Sequence, residues 1–197
     1  QGGGCRWCRG TNIIFRHNLI KDVSAGIAFA GDGAVDTPLQ NVYVFENVVE
    51  AGLYPGTLRG FSTIGPARNI TIERNVLSVA PGGSLNAAAL IEGGTICTFR
   101  DNVWAYGANG VFGSGRGGTI ALDYYCGANG WVWENITFIG PAKGTYPSST
   151  TFVASESLAP SATQIRSIVS SATAGAISGI WGPCTDTTWA PSVTNLC

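Results

Sequence analysis

Apolar and polar residues alternate in short runs that recur along the chain. The run NVYVFENVVEAG begins at Asn41, and a second run of the same form, NITIERNVLSVAPG, begins 28 residues later at Asn69. An apolar residue stands at every second position, which is the period of a β-strand and not of a helix. In both runs a second asparagine follows six residues after the first. The pattern predicts a strand, a bend at the second asparagine, and another strand.

The second asparagine of each run recurs at a nearly constant spacing. Successive members are 29, 28, 27 and 33 residues apart, and they are Asn18, Asn47, Asn75, Asn102 and Asn135. A third apolar stretch closes each period: GIAFAG, GFSTIG, AALIEG, TIALDYY and TFVAS. Self-similarity at such a period is typical of solenoids. We therefore predict an all-β, right-handed parallel β-helix of about five coils over residues 1–154.

These five asparagines are predicted to stack on one another. Equivalent residues in adjacent coils lie ~4.8 Å apart, so their side-chain amides can form a hydrogen-bonded ladder along the stack. Asparagine also tolerates the left-handed backbone conformation that a sharp bend requires. We expect each ladder asparagine, from Asn18 to Asn135, to occupy such a bend.

The repeat N-[IV]-x-[IV]-x-x-N-[VL], found between about Asn12 and Ala154, resembles that of the pectate-lyase-like superfamily of right-handed β-helix proteins. The resemblance implies the fold, whereas this scaffold serves lyases, glycosidases, esterases, adhesins and structural proteins. Lyases of the superfamily typically use an acidic calcium-binding cluster with an Arg or Lys base. Its galacturonan hydrolases carry N-x-D, paired Asp, G-H-G and R-x-K motifs. None of these four hydrolase motifs is present in this sequence, so the resemblance does not imply an activity.

The residues directly before the ladder asparagines form a polar column: His17, Glu46, Arg74, Asp101 and Glu134. Glu46 and Asp101 would stand two coils apart, about 9.6 Å, which is near the ~6.5–9.5 Å separation of the carboxyl groups in inverting glycosidases. Glu46, Asp101 and Glu134 are therefore weak catalytic candidates. The alternative is a ladder of alternating charges with Arg74 between two acids and His17 beside Glu46.

Four aromatic residues fall on positions predicted to face outward: Tyr43, Phe45, Trp131 and Trp133. Exposed aromatic rings can stack on sugars or be buried by another protein. Loops of neighbouring coils can also cover them. The sequence is consistent with all three interpretations.

The chain contains six cysteines: Cys5, Cys8, Cys97, Cys126, Cys184 and Cys197. An even number in a Gly/Ser/Thr-rich chain favours disulfides and an oxidising compartment. Free thiols are the second interpretation and metal binding the third, because the CRWC motif lacks a second ligand pair. Cys97 and Cys126 are 29 residues apart, close to one coil, and we predict that they form a disulfide between vertical neighbours.

The repeat pattern ends near Pro147, after which the chain is rich in Ser, Thr and Pro. Apolar residues then recur at helical spacing, which predicts a short amphipathic helix from Ser161 to about Ala174 that caps or flanks the last coil. Residues 155–197 are therefore predicted to form a capping or strand-donating segment.

Composition restricts the class of partner. Only 12% of the 197 residues are charged, the formal net charge is −1, and the 11 basic residues are scattered. Nucleic acid is therefore not an expected partner, and no apolar run is long enough for a membrane span. We expect an extracellular or cell-surface protein that needs no metal or other cofactor.

Two Asn-Ile-Thr triplets, at Asn69 and Asn135, match the pattern of N-glycosylation acceptors. A ladder position would make Asn135 a poor acceptor, because its amide would be engaged within the stack.

Two functions follow from these features. The first is an extracellular structural or adhesive protein whose first coil, beginning at Asn12 without a preceding amphipathic helix, either follows an upstream segment or docks head to tail on another subunit to build a filament. The second is a carbohydrate-active enzyme or glycan-binding module of the pectate-lyase-like type. The missing motifs favour the first function and a non-enzymatic role.

Overall fold

The computed structural model of the protein describes residues 10–23, 25–30, 39–52, 59–65, 67–93 and 97–178. This part of the chain is mostly β-structure, arranged in three sheets whose strands are almost all parallel. Each of the first four repeats of the sequence contributes one strand to each sheet in turn. Strands that are about one period apart in sequence are therefore neighbours in space.

The first sheet, sheet 1, holds the strands that begin each repeat. It runs in the order β1-β4-β7-β10-β14. Its strands are β1 (Thr11–Arg16), β4 (Leu39–Phe45), β7 (Ala67–Glu73), β10 (Cys97–Arg100) and β14 (Trp131–Glu134).

Sheet 2 holds the strands that follow the ladder asparagines. It runs in the order β2-β5-β8-β11-β15-β16. Its strands are β2 (Leu19–Val23), β5 (Val48–Ala51), β8 (Val76–Val79), β11 (Val103–Ala105), β15 (Thr137–Ile139) and β16 (Thr151–Val153).

Sheet 3 runs in the order β3-β6-β9-β12-β13. Its strands are β3 (Ala25–Ala30), β6 (Arg59–Ile64), β9 (Ala87–Glu92), β12 (Val111–Gly113) and β13 (Arg116–Gly117). Within the described residues, β12 and β13 are the only antiparallel pair. The three sheets together are compatible with a β-helix or solenoid-like fold.

The alternation of the strands separates two faces, as the sequence predicts. Val44, Ile72 and Phe99 are in register on adjacent strands of sheet 1 and are buried in the common core. The core also takes Leu77 and Trp104 from sheet 2. The intervening residues of sheet 1 face away from the core, because successive side chains of a strand point to opposite faces.

Two of the predicted third strands are placed differently. The TIALDYY stretch forms helix α1 (Thr119–Cys126), and the third strand of the fourth repeat is the earlier β12. The TFVAS stretch contains β16, which pairs with β15 in sheet 2 and not with sheet 3. The longer fourth period accommodates α1 and the β12–β13 hairpin, which sequence periodicity alone does not distinguish from another strand.

The C-terminal helix α2 extends over Pro160–Ser178, which confirms the predicted start to within one residue and extends the predicted end. It lies against β2, β5 and β8, so it flanks several repeats and does not cap the last one. Ile165 and Val169 pack with Val48, Val76 and Val103 from the outer face of sheet 2. Sheet 2 is thus covered on both faces.

One arginine fixes α2 on the sheet. The Arg166 guanidinium donates to Glu156 and to Glu50 Oε1, the latter at 3.0 Å, and to Ser78 Oγ at 2.9 Å. The hydrogen bond with Glu156 is the main cause that raises the pKa of Arg166, and burial opposes it. The segment predicted to cap or donate a strand therefore packs on its own chain through Ile165, Arg166 and Val169. Residues 179–197 lie outside the described part.

Substituting Gly60 tests the close approach of sheets 2 and 3. A Cβ at this position would stand 2.3 Å from Leu77 Cδ2 and 2.7 Å from the Ala88 carbonyl oxygen. We expect Gly60→Val to lower the free energy of unfolding by about 1–3 kcal/mol, the usual cost of overpacking a core. Ala28→Val, at an exposed position of β3, is the matched control. Equal urea midpoints for the two variants would contradict the packing described.

Candidate functional site

Four of the five predicted ladder asparagines form a continuous column of hydrogen-bonded side-chain amides. The Nδ2 of Asn18 donates to Asn47 Oδ1 at 2.8 Å, Asn47 to Asn75 Oδ1 at 2.9 Å, and Asn75 to Asn102 Oδ1 at 3.1 Å. The same oxygens accept the backbone N–H of the preceding member, at 2.9–3.0 Å. Asn47, Asn75 and Asn102 are fully buried. We refer to Asn18, Asn47, Asn75 and Asn102 as the inner ladder.

The bend lies one residue before each inner-ladder asparagine, so the prediction that the asparagine itself adopts it is wrong for Asn18, Asn47, Asn75 and Asn102. His17, Glu46, Arg74 and Asp101 have φ between 50° and 58°. This left-handed turn residue reorients the chain so that the following asparagine points under the turn. There its Nδ2 also donates to the backbone, as Asn75 does to Val44 O and Glu73 O.

A second, exposed amide column runs along the other end of the sheet 1 strands. Asn69 Nδ2 donates to Asn41 Oδ1 at 2.7 Å, and Asn41 Nδ2 donates to Asn12 Oδ1 at 2.9 Å. These three residues, the outer ladder, have φ between 54° and 57°. The sequence pattern contains them as the first asparagine of each run, but their role was not predicted.

Asn135 is not a member of the inner ladder, which corrects the sequence alignment. Trp133 and Glu134 pair with Phe99 and Arg100, so Asn135 is in register with Asp101. It has the left-handed φ of that column, 52°, and donates to Asp101 Oδ1 at 3.0 Å. The inner-ladder position of the last repeat belongs to Ile136, which is fully buried. The column of asparagines therefore ends at an apolar residue.

The candidate catalytic carboxylates are already engaged. Glu46 is buried, with Oε2 at 2.9 Å from His17 Nε2 and Oε1 at 2.9 Å from the guanidinium of Arg74. Asp101 accepts the Asn135 amide, and Glu134 pairs with Arg100 at 2.7 Å. Glu134 is shifted out of the predicted column by the one-residue change of register. This geometry corresponds to the charge-ladder alternative more closely than to a pair of free carboxyl groups.

A small groove lies beside the charge column, between the turns and helix α2. Its lining residues are Arg74, Asp101, Ser161, Gln164 and Ile165. Arg74 forms an ion pair with Glu46, so its positive charge in the groove is partly compensated. The groove is open to solvent and does not form a deep cavity.

Tyr43 and Phe45 form a stacked aromatic pair on the outer face of sheet 1, as predicted. Their ring centroids are 5.5 Å apart with an interplanar angle of 13°, and both residues are half-buried. The Tyr43 hydroxyl donates to Glu73 Oε2 at 3.2 Å. Desolvation, followed by the charge of Glu73, raises the pKa of the Tyr43 hydroxyl. We refer to Tyr43, Phe45 and Glu73 as the aromatic platform.

Trp131 and Trp133 do not share this outer face, so the prediction that they point outward is wrong. Trp133 is 5% exposed and stacks on Tyr146 with ring centroids 5.5 Å apart. Trp131 packs partly buried against the core, and its Nε1 donates to Asp123 at 2.8 Å. The same one-residue change of register explains both, since a slip of one residue exchanges the two faces of a strand.

A cluster of aromatic side chains closes the core at the last repeat. Its members are Trp104, Tyr106, Trp133, Phe138, Tyr146 and Phe152. The Trp133 Nε1 donates to Thr150 Oγ1 at 2.8 Å, and the Tyr146 hydroxyl accepts the Val111 N–H at 3.0 Å. Burial raises the pKa of the Tyr146 hydroxyl well above its ordinary value. These contacts tie residues 140–150 to the core.

The predicted Cys97–Cys126 disulfide is present in the structure. Its geometric reason differs from the prediction, because the register partner of Cys97 is Trp131 and Cys126 ends helix α1. The bond therefore anchors the inserted helix to the core strand β10. The predicted disulfide candidates Cys5, Cys8, Cys184 and Cys197 lie outside the described residues.

Within the part of the chain that the structure describes, the first repeat is the less covered end. Ile13, Ile14 and Leu19 are 39%, 66% and 39% exposed. Across the described residues, no strand pairs with the outer edge of β1, β2 or β3. Asn18 Oδ1 likewise accepts no hydrogen bond from these residues, in contrast to the equivalent oxygens of Asn47 and Asn75. Within this part of the chain, the inner ladder thus ends at this face with a free acceptor.

Comparison with protein-family models, curated proteins and solved structures gives no match for this chain. Its described residues include no cluster of three or more His, Cys, Asp and Glu side chains suited to a metal ion. None of its described helices combines the length and the apolar character that a membrane crossing requires. Function must therefore be argued from the geometry of the ladders, the aromatic platform and the ends of the sheets.

Asn75→Ala is expected to lower the free energy of unfolding by about 3 kcal/mol, because it leaves buried backbone groups and two neighbouring amides without partners. Asn41→Gly is the control in the exposed outer ladder; glycine keeps the left-handed backbone, so we expect a loss below about 1 kcal/mol. Urea unfolding followed by tryptophan fluorescence measures both. Similar losses for the two variants would show that the inner ladder does not hold the fold.

Proposed function

We propose that this chain is a right-handed parallel β-helix with an extracellular structural or adhesive role, which assembles head to tail through its first repeat. The observation that carries the proposal is the contrast between the two ends. Aromatic side chains and Ile136 fill the core of the last repeat, whereas the first repeat leaves Ile13, Ile14 and Leu19 exposed and the Asn18 acceptor open within the described residues. The fold supports this role through its repeats, and the pectate-lyase-like superfamily remains the family that we propose for it.

The edge of β1 is the part of this end best suited to pairing. Exposed edges with unpaired N–H and C=O groups are templates for another strand, and proteins protect them with charges and bulges. Strand β2 has such protection in Lys21 and in Asp22, whose φ is 55° and which interrupts the register. Residues 11–15 of β1 carry no charge, and they include the exposed Ile13 and Ile14.

The other end offers an edge of the same kind. Strand β16 is the last strand of sheet 2, and its three residues are uncharged. Leu158, just after it, is 60% exposed. We propose that the C-terminal end of one copy covers the first repeat of the next, where a backbone N–H fills the Asn18 acceptor. Because the two surfaces differ, each copy keeps one surface free for a further copy, and we propose that the contact continues as an open filament rather than a closed ring.

Lysine at position 14 tests the association. We expect Ile14→Lys to weaken self-association at least tenfold, because it places a charge on the apolar pairing edge. Thr98→Lys is the control, since Thr98 lies in the same column of sheet 1 but in an interior strand. Sedimentation velocity under non-reducing conditions measures both against the intact protein. An intact protein that stays monomeric at every concentration would exclude the filament.

The aromatic platform favours a second candidate function, the binding of an extracellular glycan. The parallel rings of Tyr43 and Phe45 offer an apolar surface for sugar C–H groups, and Glu73 adjoins it as a hydrogen-bond acceptor. We propose binding without catalysis at this surface, since Glu46 nearby is already hydrogen-bonded to His17 and ion-paired with Arg74. Polysaccharide lyase or glycosidase activity is the weaker alternative.

Paired substitutions test the glycan candidate. If the platform binds sugar, the double variant Tyr43→Ala, Phe45→Ala should lose at least tenfold in affinity for the glycan that the intact protein binds best on an array. Thr98→Ala, on the same face of sheet 1, should bind unchanged. A protein that binds no plant, algal, fungal, animal or bacterial polysaccharide on such an array would exclude this candidate.

A further inference from the structure

Two Asn-x-Thr triplets of the sequence have no part in the proposed function. They are Asn69-Ile70-Thr71 and Asn135-Ile136-Thr137. The four inner-ladder asparagines are followed two residues later by Ile20, Val49, Leu77 and Trp104, so none of them begins such a triplet. The acceptor pattern therefore occurs only where the asparagine lies outside the buried column.

Asn69 has an amide that is free to carry a substituent. The residue is exposed and stands at the last described position of the outer ladder, with φ of 55°. Its Nδ2 makes one hydrogen bond, to Asn41 Oδ1 at 2.7 Å. An amide nitrogen carries two hydrogens, so one N–H of Asn69 is available on the solvent side within the described structure.

Asn135 also has an amide that is free to carry a substituent, although the spacing of the repeats predicted a place for it in the inner ladder. It is exposed, occupies a left-handed turn, and its Nδ2 makes one hydrogen bond, to Asp101 Oδ1. The change of register that removes it from the inner ladder also removes the reason to consider it a poor acceptor.

The inner ladder shows the opposite situation. Asn47 is fully buried, and its Nδ2 donates to Phe15 O, Phe45 O and Asn75 Oδ1. A sugar on this nitrogen would break the ladder and would find no space in the core. The triplets thus occur only at exposed asparagines, where a glycan does not disturb the core.

We propose that Asn69 and Asn135 are N-glycan acceptor sites and that the folded protein carries both glycans on its surface. This inference rests on the proposed extracellular role, because the modification is typical of secreted surfaces. The donor is a lipid-diphosphate-linked oligosaccharide. A bond forms between Nδ2 and the anomeric carbon, the bond from that carbon to the diphosphate oxygen breaks, the diphosphate leaves with the electron pair, and Nδ2 loses one proton to a base of the transferase. The remaining N–H keeps its hydrogen bond to Asn41 or Asp101.

Site occupancy is measured on the full chain secreted from a eukaryotic host. Release of N-glycans by an amidase in ¹⁸O-water converts each occupied asparagine to a labelled aspartate, which peptide mass spectrometry locates. We expect label at positions 69 and 135. Thr71→Ala and Thr137→Ala should each remove one site, whereas Thr71→Ser and Thr137→Ser should retain it. Secreted protein without label at either position would overturn the proposal.

A triplet placed on the inner ladder is the matched control. The substitution Val49→Thr completes an acceptor triplet that begins at Asn47, with a side chain of nearly the same shape as valine. We expect its yield of folded, secreted protein to fall at least tenfold, and to recover when synthesis of the lipid-linked donor is inhibited. Equal yields for this variant and the intact protein, with Asn47 occupied, would contradict the structural argument.

The stability of the glycosylated protein separates this proposal from the proposed function. We expect the intact glycoprotein and its enzymatically deglycosylated form to melt within a few degrees of each other; a large loss on glycosylation would overturn the inference. A fully occupied protein that sediments as a monomer would exclude the filament and leave the glycan sites established. A protein that self-associates but carries no glycans would support the filament and overturn the glycan sites.

Discussion

The buried amide ladder is the interaction on which the other features depend. Each of Asn47 and Asn75 satisfies backbone groups of its own turn and joins the next repeat through its side chain. A buried polar group without such partners is costly, so the loss of Asn47 or Asn75 from the middle of the ladder would destabilise the fold. The ladder therefore fixes how the first four strands of sheet 1 turn into sheet 2. The residue before it supplies the bend, and that position tolerates His, Glu, Arg or Asp.

The direction of the ladder also distinguishes the two ends of the molecule. The side-chain amides of Asn18, Asn47 and Asn75 each donate to the asparagine of the later repeat. Asn102 Nδ2 instead donates to Ile72 O of the earlier repeat, because Ile136 occupies the next ladder position. Aromatic side chains then fill the remaining core, and Arg166 holds α2 across sheet 2. The outer ladder donates in the opposite direction, from Asn69 to Asn12. With this direction of donation, the inner ladder begins in the first repeat with an acceptor, Asn18 Oδ1. This acceptor and the exposed apolar residues of the same repeat are the basis of the proposed association.

Much of the strand arrangement was predictable from the sequence, because the inner-ladder asparagines and the alternation around them are local features. The disulfide partner of Cys97 and the start of α2 were also predicted correctly. The last repeat was not, because Asn129 and Asn135 imitate the six-residue spacing although the structure aligns Asn135 with Asp101. The slip brings Trp133 into the core, where its stacking on Tyr146 depends on residues 140–150. Helix α1 was likewise hidden in an apolar stretch of strand-like composition.

The most direct test of this account is the solvent exchange of side-chain amide protons, measured residue by residue by NMR on the ¹⁵N-labelled protein. If the inner ladder holds the fold, the Nδ2 protons of Asn47 and Asn75 should exchange at least a hundredfold more slowly than those of Asn41 and Asn69. These two pairs differ in burial but share the same residue type and the same stacked arrangement. Equal exchange rates for the two pairs would contradict a buried, continuous ladder and, with it, the proposed stacking of the repeats.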